Sequence, residues 1–216
     1  MRFRYLKAFL NVHFFLCIFL IATNTSSIYA EQYKSAQQES EELNSAQLVS
    51  LLQQGGYVLY WRHAATDHQQ KDAVEVIMQD CSTQRNLSEK GKQQAVDIGE
   101  HLLRLDIKFD RILSSPYCRC KETAELAFGH FETNDNLYFS IDADRASRKE
   151  QSRNLQQLLS TTPAIGKNHI IISHTANLKE AAGVWPKPEA VIHIFRPGQD
   201  IFYHLGKISP EEWTDL

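Results

Sequence analysis

The stretch Gly56-Tyr57-Val58-Leu59-Tyr60-Trp61-Arg62-His63 decides the reading of this chain. From Tyr57 to Trp61 no charged residue interrupts the run, the pattern of a strand buried on both faces, and the polar pair Arg62-His63 then emerges at its carboxyl end. A second run, Ile170-Ile171-Ile172-Ser173, also ends in a histidine, His174. Between them Arg111-Ile112-Leu113 leads into Ser114-Ser115-Pro116-Tyr117-Cys118-Arg119 and a helix-like stretch. Ligands in open α/β sheets bind beyond the carboxyl ends of the strands. The three segments therefore converge Arg62, His63, Arg119 and His174 on one crevice. Two guanidiniums and two imidazoles there make an anion pocket that contains a nucleophile.

Working outward, Leu48, Leu51 and Leu52 recur at helical spacing after Ser45, and Gly55-Gly56 stop that helix. A loop runs from Ala64 to about Asn86. Ser88 is the expected N-cap of a helix through Leu105, with Ala95, Ile98, Leu102 and Leu103 on its inner face. Phe109–Leu113 reads as the second strand, Pro116 as the first residue of a helix that Gly129 ends, and 144–160 as a helix carrying Leu155, Leu158 and Leu159. His169–Ser173 is the expected central strand, and Ala190–Phe195 with Ile201–Leu205 a late hairpin. Strands alternate with helices through most of the chain, so the fold class is α/β, one domain with helices flanking a sheet.

The first thirty residues have a different pattern. Arg2, Arg4 and Lys7 precede the apolar run Ala8–Ala22, and a polar stretch leads to Tyr29-Ala30, the order of a secretory signal peptide. The expected organisation is a signal peptide over 1–30, a flexible Gln/Glu/Ser-rich lead-in over 31–44, and the domain over 45–216. Cleavage removes three cations and no carboxylate, changing 23 cations against 26 carboxylates to 20 against 26. The mature chain is then mildly acidic and has no basic tail, which argues against a nucleic-acid partner. Its expected location is periplasmic or secreted, with no stable membrane insertion after cleavage.

Three cysteines remain after that cleavage: Cys81, Cys118 and Cys120. An oxidising compartment favours one disulfide. Side chains two apart on a helix do not face each other, so the expected bond runs from Cys81 to either Cys118 or Cys120. The spacing supplies too few ligands for zinc, and neither a metal nor another cofactor is expected.

With Pro116 at the first helical position, Arg119 lies one turn on and its side chain slants back toward the helix N-terminus. Free N–H groups and the helix dipole point into the same space, which suits a phosphate. Taken together, Arg62-His63 after a strand, Ser115-Pro116-Tyr117-Cys118-Arg119 followed by Thr123-Ala124-Glu125, and His174 after Ile170–Ser173 resemble the histidine phosphatase superfamily, the phosphoglycerate mutase-like fold. The resemblance covers residues 56 to about 205. It implies that His63 is the nucleophile that becomes phosphorylated, with Arg62, Arg119 and His174 holding the phosphoryl group.

Two departures qualify that pattern. Ala64 stands where the family usually has glycine, and His174 is followed by Thr175 and Ala176 rather than by the Asp of the phytase branch. The resemblance is thus to the smaller, non-phytase branch. That branch places its general acid in the loop after the pocket helix, where Asp142 and Asp144 lie, either of which also suits a helix N-cap. Glu122 is expected to pair with Arg119 or to be solvated, and Ser114 and Ser115 to cap the pocket helix.

The expected function is that of an exported phosphohydrolase cleaving phosphomonoesters through a phosphohistidine, its substrate a phosphorylated small molecule or an envelope phosphosugar. A phosphomutase of the same fold and a non-catalytic phosphate- or phosphosugar-binding module are the alternatives.

Overall fold

The computed structural model describes residues 43–216. The signal peptide expected over 1–30 and most of the lead-in lie outside the described residues. Leu43 and Asn44, assigned to the lead-in from sequence, already belong to the domain: Leu43 N–H donates to Leu205 O at 3.1 Å. Asn44 caps helix α1 (Ser45–Gln54) in a reciprocal box with Gln47.

Strand β1 (Val58–Arg62) follows, and a loop with one short 3-10 turn at Cys81–Thr83 leads to α2 (Glu89–Arg104), capped by Ser88 as expected. Strand β2 (Phe109–Ser114) leads into α3 (Cys118–Phe128), which ends at a left-handed Gly129. Then come the two-residue strand β3 (Glu132–Thr133), α4 (Arg145–Ser160), β4 (Asn168–Ser173), α5 (Thr175–Ala182), β5 (Ile192–Pro197) and β6 (Phe202–Ile208). A 3-10 helix, Pro210–Asp215, buries Trp213. Among the described residues no helix is long and apolar enough to cross a membrane.

The strands form one sheet in the order β3-β2-β4-β1-β5-β6. β1 and β2 both run parallel to β4, with Arg62 beside Ser173 and Ser114 beside Ile172. All three therefore point their carboxyl ends at one edge, while β5 and β6 close the other side as the antiparallel hairpin. Side-chain alternation explains why these runs lack polar residues. Leu59, Trp61, Ile170 and Ile172 pack toward Leu48, Leu52, Ala95, Ile98, Leu102 and Ala124. Val58, Tyr60 and Ile171 pack on the opposite face toward Leu155, Leu159 and Leu178.

Two local expectations are corrected. Leu103 is exposed, because Ala95, Ile98 and Leu102 follow the inner stripe of α2 and the next residue turns about 100° away from it. Helix α3 begins at Cys118 rather than Pro116, since Tyr117 keeps an extended backbone (φ −64°, ψ 140°) and serves as N-cap.

Gly91, in the first turn of α2, meets the chain leaving β1 so closely that a Cβ there would lie 1.8 Å from Ala65 O. Cys81 is bonded to Cys118, across 37 residues of sequence, and Cys120 is free and buried. The loop after β1 is thereby fastened to the first residue of α3. Closing a loop of this length stabilises a fold by about 3 to 4 kcal/mol in the chain-entropy model. The C81S/C118S double variant should lose stability of that order in denaturant titration. Protein beginning at residue 31, denatured without reductant, should show one reactive thiol. Three would refute the bond.

Candidate active site

His63 is the first residue past β1, and its backbone is pinned on both sides. Its N–H donates to Ser173 O and its carbonyl accepts from Ala190 N–H, each at 3.0 Å. The ring Nδ1 lies 2.9 Å from Ala64 O, a partner that can only accept, so the neutral ring carries its proton on Nδ1 and leaves the lone pair on Nε2. Burial first, then the charge of Arg119, holds the imidazole well below the usual histidine value. Ala64 has no positive φ, so the residue standing in place of glycine is unstrained. Its N–H donates to Thr123 Oγ1, and that hydroxyl donates to Arg119 O, which joins the residue after His63 to α3.

Arg119 is fully buried. Its guanidinium carbon stacks 4.5 Å from the Tyr117 ring centre and 5.5 Å from that of Phe139. Its Nη1 donates to Asp72 Oδ1 at 3.0 Å, while its Nε is buried without a partner.

His174 ends β4 and packs against the same two rings, 5.0 Å from Tyr117 and 4.8 Å from Phe139, with its centroid 5.6 Å from that of His63. Its Nε2 is 2.8 Å from Ser115 Oγ. That serine was expected to cap α3, but its contact with Tyr117 N–H is a long 3.4 Å, and His174 is its close partner. Burial and Arg119 lower the His174 pKa as well, so both imidazoles are neutral in a positive pocket. Arg62 completes the set, donating from Nη2 to Glu189 Oε1 at 3.3 Å and from Nη1 to Pro186 O at 3.2 Å.

The structure thus brings Arg62, His63, Arg119 and His174 together and treats the two proposed acids differently. Asp144 is the N-cap of α4, accepting from Ala146 and Ser147 N–H, and these bonds hold its carboxyl below the usual range. An ionised cap is a poor proton donor, so Asp144 is withdrawn as a general acid. Asp142 accepts from the Tyr117 hydroxyl and touches the site through that ring. Glu122 does not pair with Arg119 but lies 4.0 Å from Lys92 on α2.

Sequence reasoning missed Asp72, Gln84 and Glu189. Glu189 accepts from Arg62 and from both the N–H and hydroxyl of Thr66. Gln84, 2 % exposed, accepts through Oε1 from Cys118 N–H at the start of α3. No spacing rule links these residues to the motifs, because each arrives from a loop. Asp72 meets Arg119 through Nη1 alone, which leaves the rest of the guanidinium fork without a carboxylate partner.

Cys120 sits behind His174, its Sγ 3.6 Å from Nε2, and burial pushes its thiol up to about 12, which leaves it protonated and inert. A cavity of about 910 Å³ between the loop and helices α2 and α3 is lined by Cys81, Lys92, Cys118 and Lys121 and includes none of the four pocket residues. Its size alone does not make it the reactive site. Among the described residues no three His, Cys, Asp or Glu side chains are grouped to hold a metal ion.

Residues 58–137 match the model of the histidine phosphatase superfamily, branch 1. No curated protein matches the chain. Solved structures do. The protein histidine phosphatase SixA complexed with tungstate aligns at 17% identity and a TM-score of 0.51, covering 72% of this chain and 98% of that one. A putative alpha-ribazole-5'-P phosphatase from Escherichia coli aligns at 13% identity and 0.55, again over 72% and 98%. A mycobacterial glucosyl-3-phosphoglycerate phosphatase complexed with VO3 aligns at 14% identity and 0.53, over 72% and 100%. At such identities the structures speak for the fold. The family match spans the segment that carries Arg62, His63 and Arg119, and the solved structures share the sheet that sets these residues beside His174.

Proposed function

We propose that this protein is an exported phosphomonoester hydrolase that works through a phosphohistidine on His63. The observation that carries the reading is the Nδ1 contact to Ala64 O, which leaves a neutral, buried imidazole with its Nε2 lone pair beside two arginines and a second histidine. Nε2 attacks phosphorus in line, the ester oxygen leaves, and water then releases orthophosphate from the imidazole. Arg62, Arg119 and His174 supply hydrogen bonds and positive charge to the phosphoryl oxygens as charge accumulates there. The tungstate and VO3 with which two similar proteins are complexed are oxyanions of the kind such a pocket accepts.

Export is supported by the order of residues 1–30 and accords with the Cys81–Cys118 bond. An exported enzyme of this class acts on phosphorylated small molecules outside the cytoplasm, of which an envelope phosphosugar is one.

Three measurements test the mechanism. The H63A variant should lose phosphate release by at least about 1,000-fold while still binding orthophosphate, and acid quench of the native enzyme should trap an acid-labile, base-stable adduct. Substantial turnover by H63A would sink the scheme; intact orthophosphate binding with no turnover of any ester by the native protein would mark a binding module. Activity should persist in excess chelator and be inhibited competitively by vanadate or tungstate. Loss in chelator that is restored by zinc or magnesium would contradict the arginine-based mechanism.

The third concerns protonation. Because burial lowers the His63 and His174 values, their protonation midpoints lie below 6.5, and the nucleophile stays free as pH falls through that value. In ligand-free protein both rings should read as neutral at pH 6 in an NMR titration. A midpoint at or above 6.5 for His63 would refute this.

A further inference from the structure

Arg85 lies in the loop between β1 and α2, within a stretch that is fastened beside the crevice at both ends. On one side Gln84 Oε1 accepts from Cys118 N–H at 2.8 Å, and Cys81 is covalently joined to the same Cys118. On the other, Asn86 O accepts from Asp67 N–H at 3.0 Å, and Leu87 pairs with Thr66, three residues past the nucleophile. Arg85 N–H itself donates to Asp72 Oδ1 at 2.8 Å, the oxygen that also takes the Arg119 guanidinium. Residue 85 is therefore held between the start of α3 and the exit of β1, one carboxylate away from the Arg119 head group.

Its side chain is unlike the other two pocket arginines. Arg62 has Glu189 and Arg119 has Asp72 as countercharge, whereas among the described residues no carboxylate lies within ion-pair distance of Arg85. Arg85 is half-buried, and its Nε, like those of Arg62 and Arg119, is buried and makes no hydrogen bond. A buried N–H without a partner is costly unless a ligand supplies one. Its charge also reaches the reactive groups, acting on Arg62, His63 and His174 alike.

The charge count points the same way. The three arginines face two carboxylates, Glu189 and Asp72, which leaves one positive charge to meet a phosphate dianion. Without Arg85 none would remain. We propose that Arg85 is a third phosphate-binding arginine, delivered from the loop to grip the same phosphoryl dianion as Arg62 and Arg119. This deepens the hydrolase reading and rests on it for the identity of the anion.

The test measures orthophosphate and tungstate binding to the full chain by calorimetry, alongside turnover of p-nitrophenyl phosphate. Charge-assisted bonds of this kind correspond to losses of about 10- to 100-fold. R85Q and R85A should weaken oxyanion binding by that factor and raise KM in proportion, with melting temperature little changed, and R85K should recover part of the loss. Oxyanion binding within about twofold of the native protein in R85Q would overturn the proposal. Labelling the native protein with phenylglyoxal and mapping the peptides gives a readout independent of any variant's folding. Orthophosphate should protect Arg85, and equal labelling with and without it would also overturn the proposal. If the native chain binds orthophosphate yet hydrolyses no ester, the hydrolase reading fails while the R85Q binding loss still decides the role of Arg85.

Discussion

A guanidinium that stays charged at any ordinary pH, buried completely at the end of a sheet, is the constraint around which this structure is arranged. Isolated burial of such a cation costs several kcal/mol, so Arg119 needs a countercharge and polarisable walls. Asp72 supplies the first, while Tyr117 and Phe139 supply the second. Asp72 comes from a loop that has little core of its own, with Val74 and Ile77 exposed, so that loop has to be fastened. The Cys81–Cys118 bond and the Gln84 contact to Cys118 N–H do this one residue away from Arg119.

The same arginines set the protonation state of His63. A positive field that attracts a phosphate also opposes protonation of the imidazoles inside it, so anion binding and a free Nε2 on His63 come from one arrangement. Glu189 offsets Arg62 and at the same time accepts from the backbone and hydroxyl of Thr66, three residues past His63.

What was legible in sequence follows from burial. Strands covered on both faces become unbroken apolar runs, so Val58–Trp61 and Ile170–Ile172 announced themselves, and the polar residues just past their ends could only be site residues or errors. Helix α2 was equally readable from Ser88 and its apolar stripe. Helix α5, eight residues long and starting immediately after His174, carries too few apolar positions to show a period. The sequence allows Cys81 two partners, and the structure bonds Cys118 to it while Cys120 is buried against His174. Asp72, Gln84, Arg85 and Glu189 escaped notice for a common reason. Their positions depend on how loops close in space, and loop residues carry no periodicity that would betray it.

The covalent link between Cys81 and Cys118 also has a topological meaning. It turns residues 81–118 into a closed ring that contains the whole of α2 and β2, with the chain entering at one cysteine and leaving at the other. Any single backbone cut inside that ring divides the chain into a piece bearing Arg62 and His63 and a piece containing His174, yet the two remain one molecule. A protease that nicks the 82–117 interval opens the ring without separating His63 from His174.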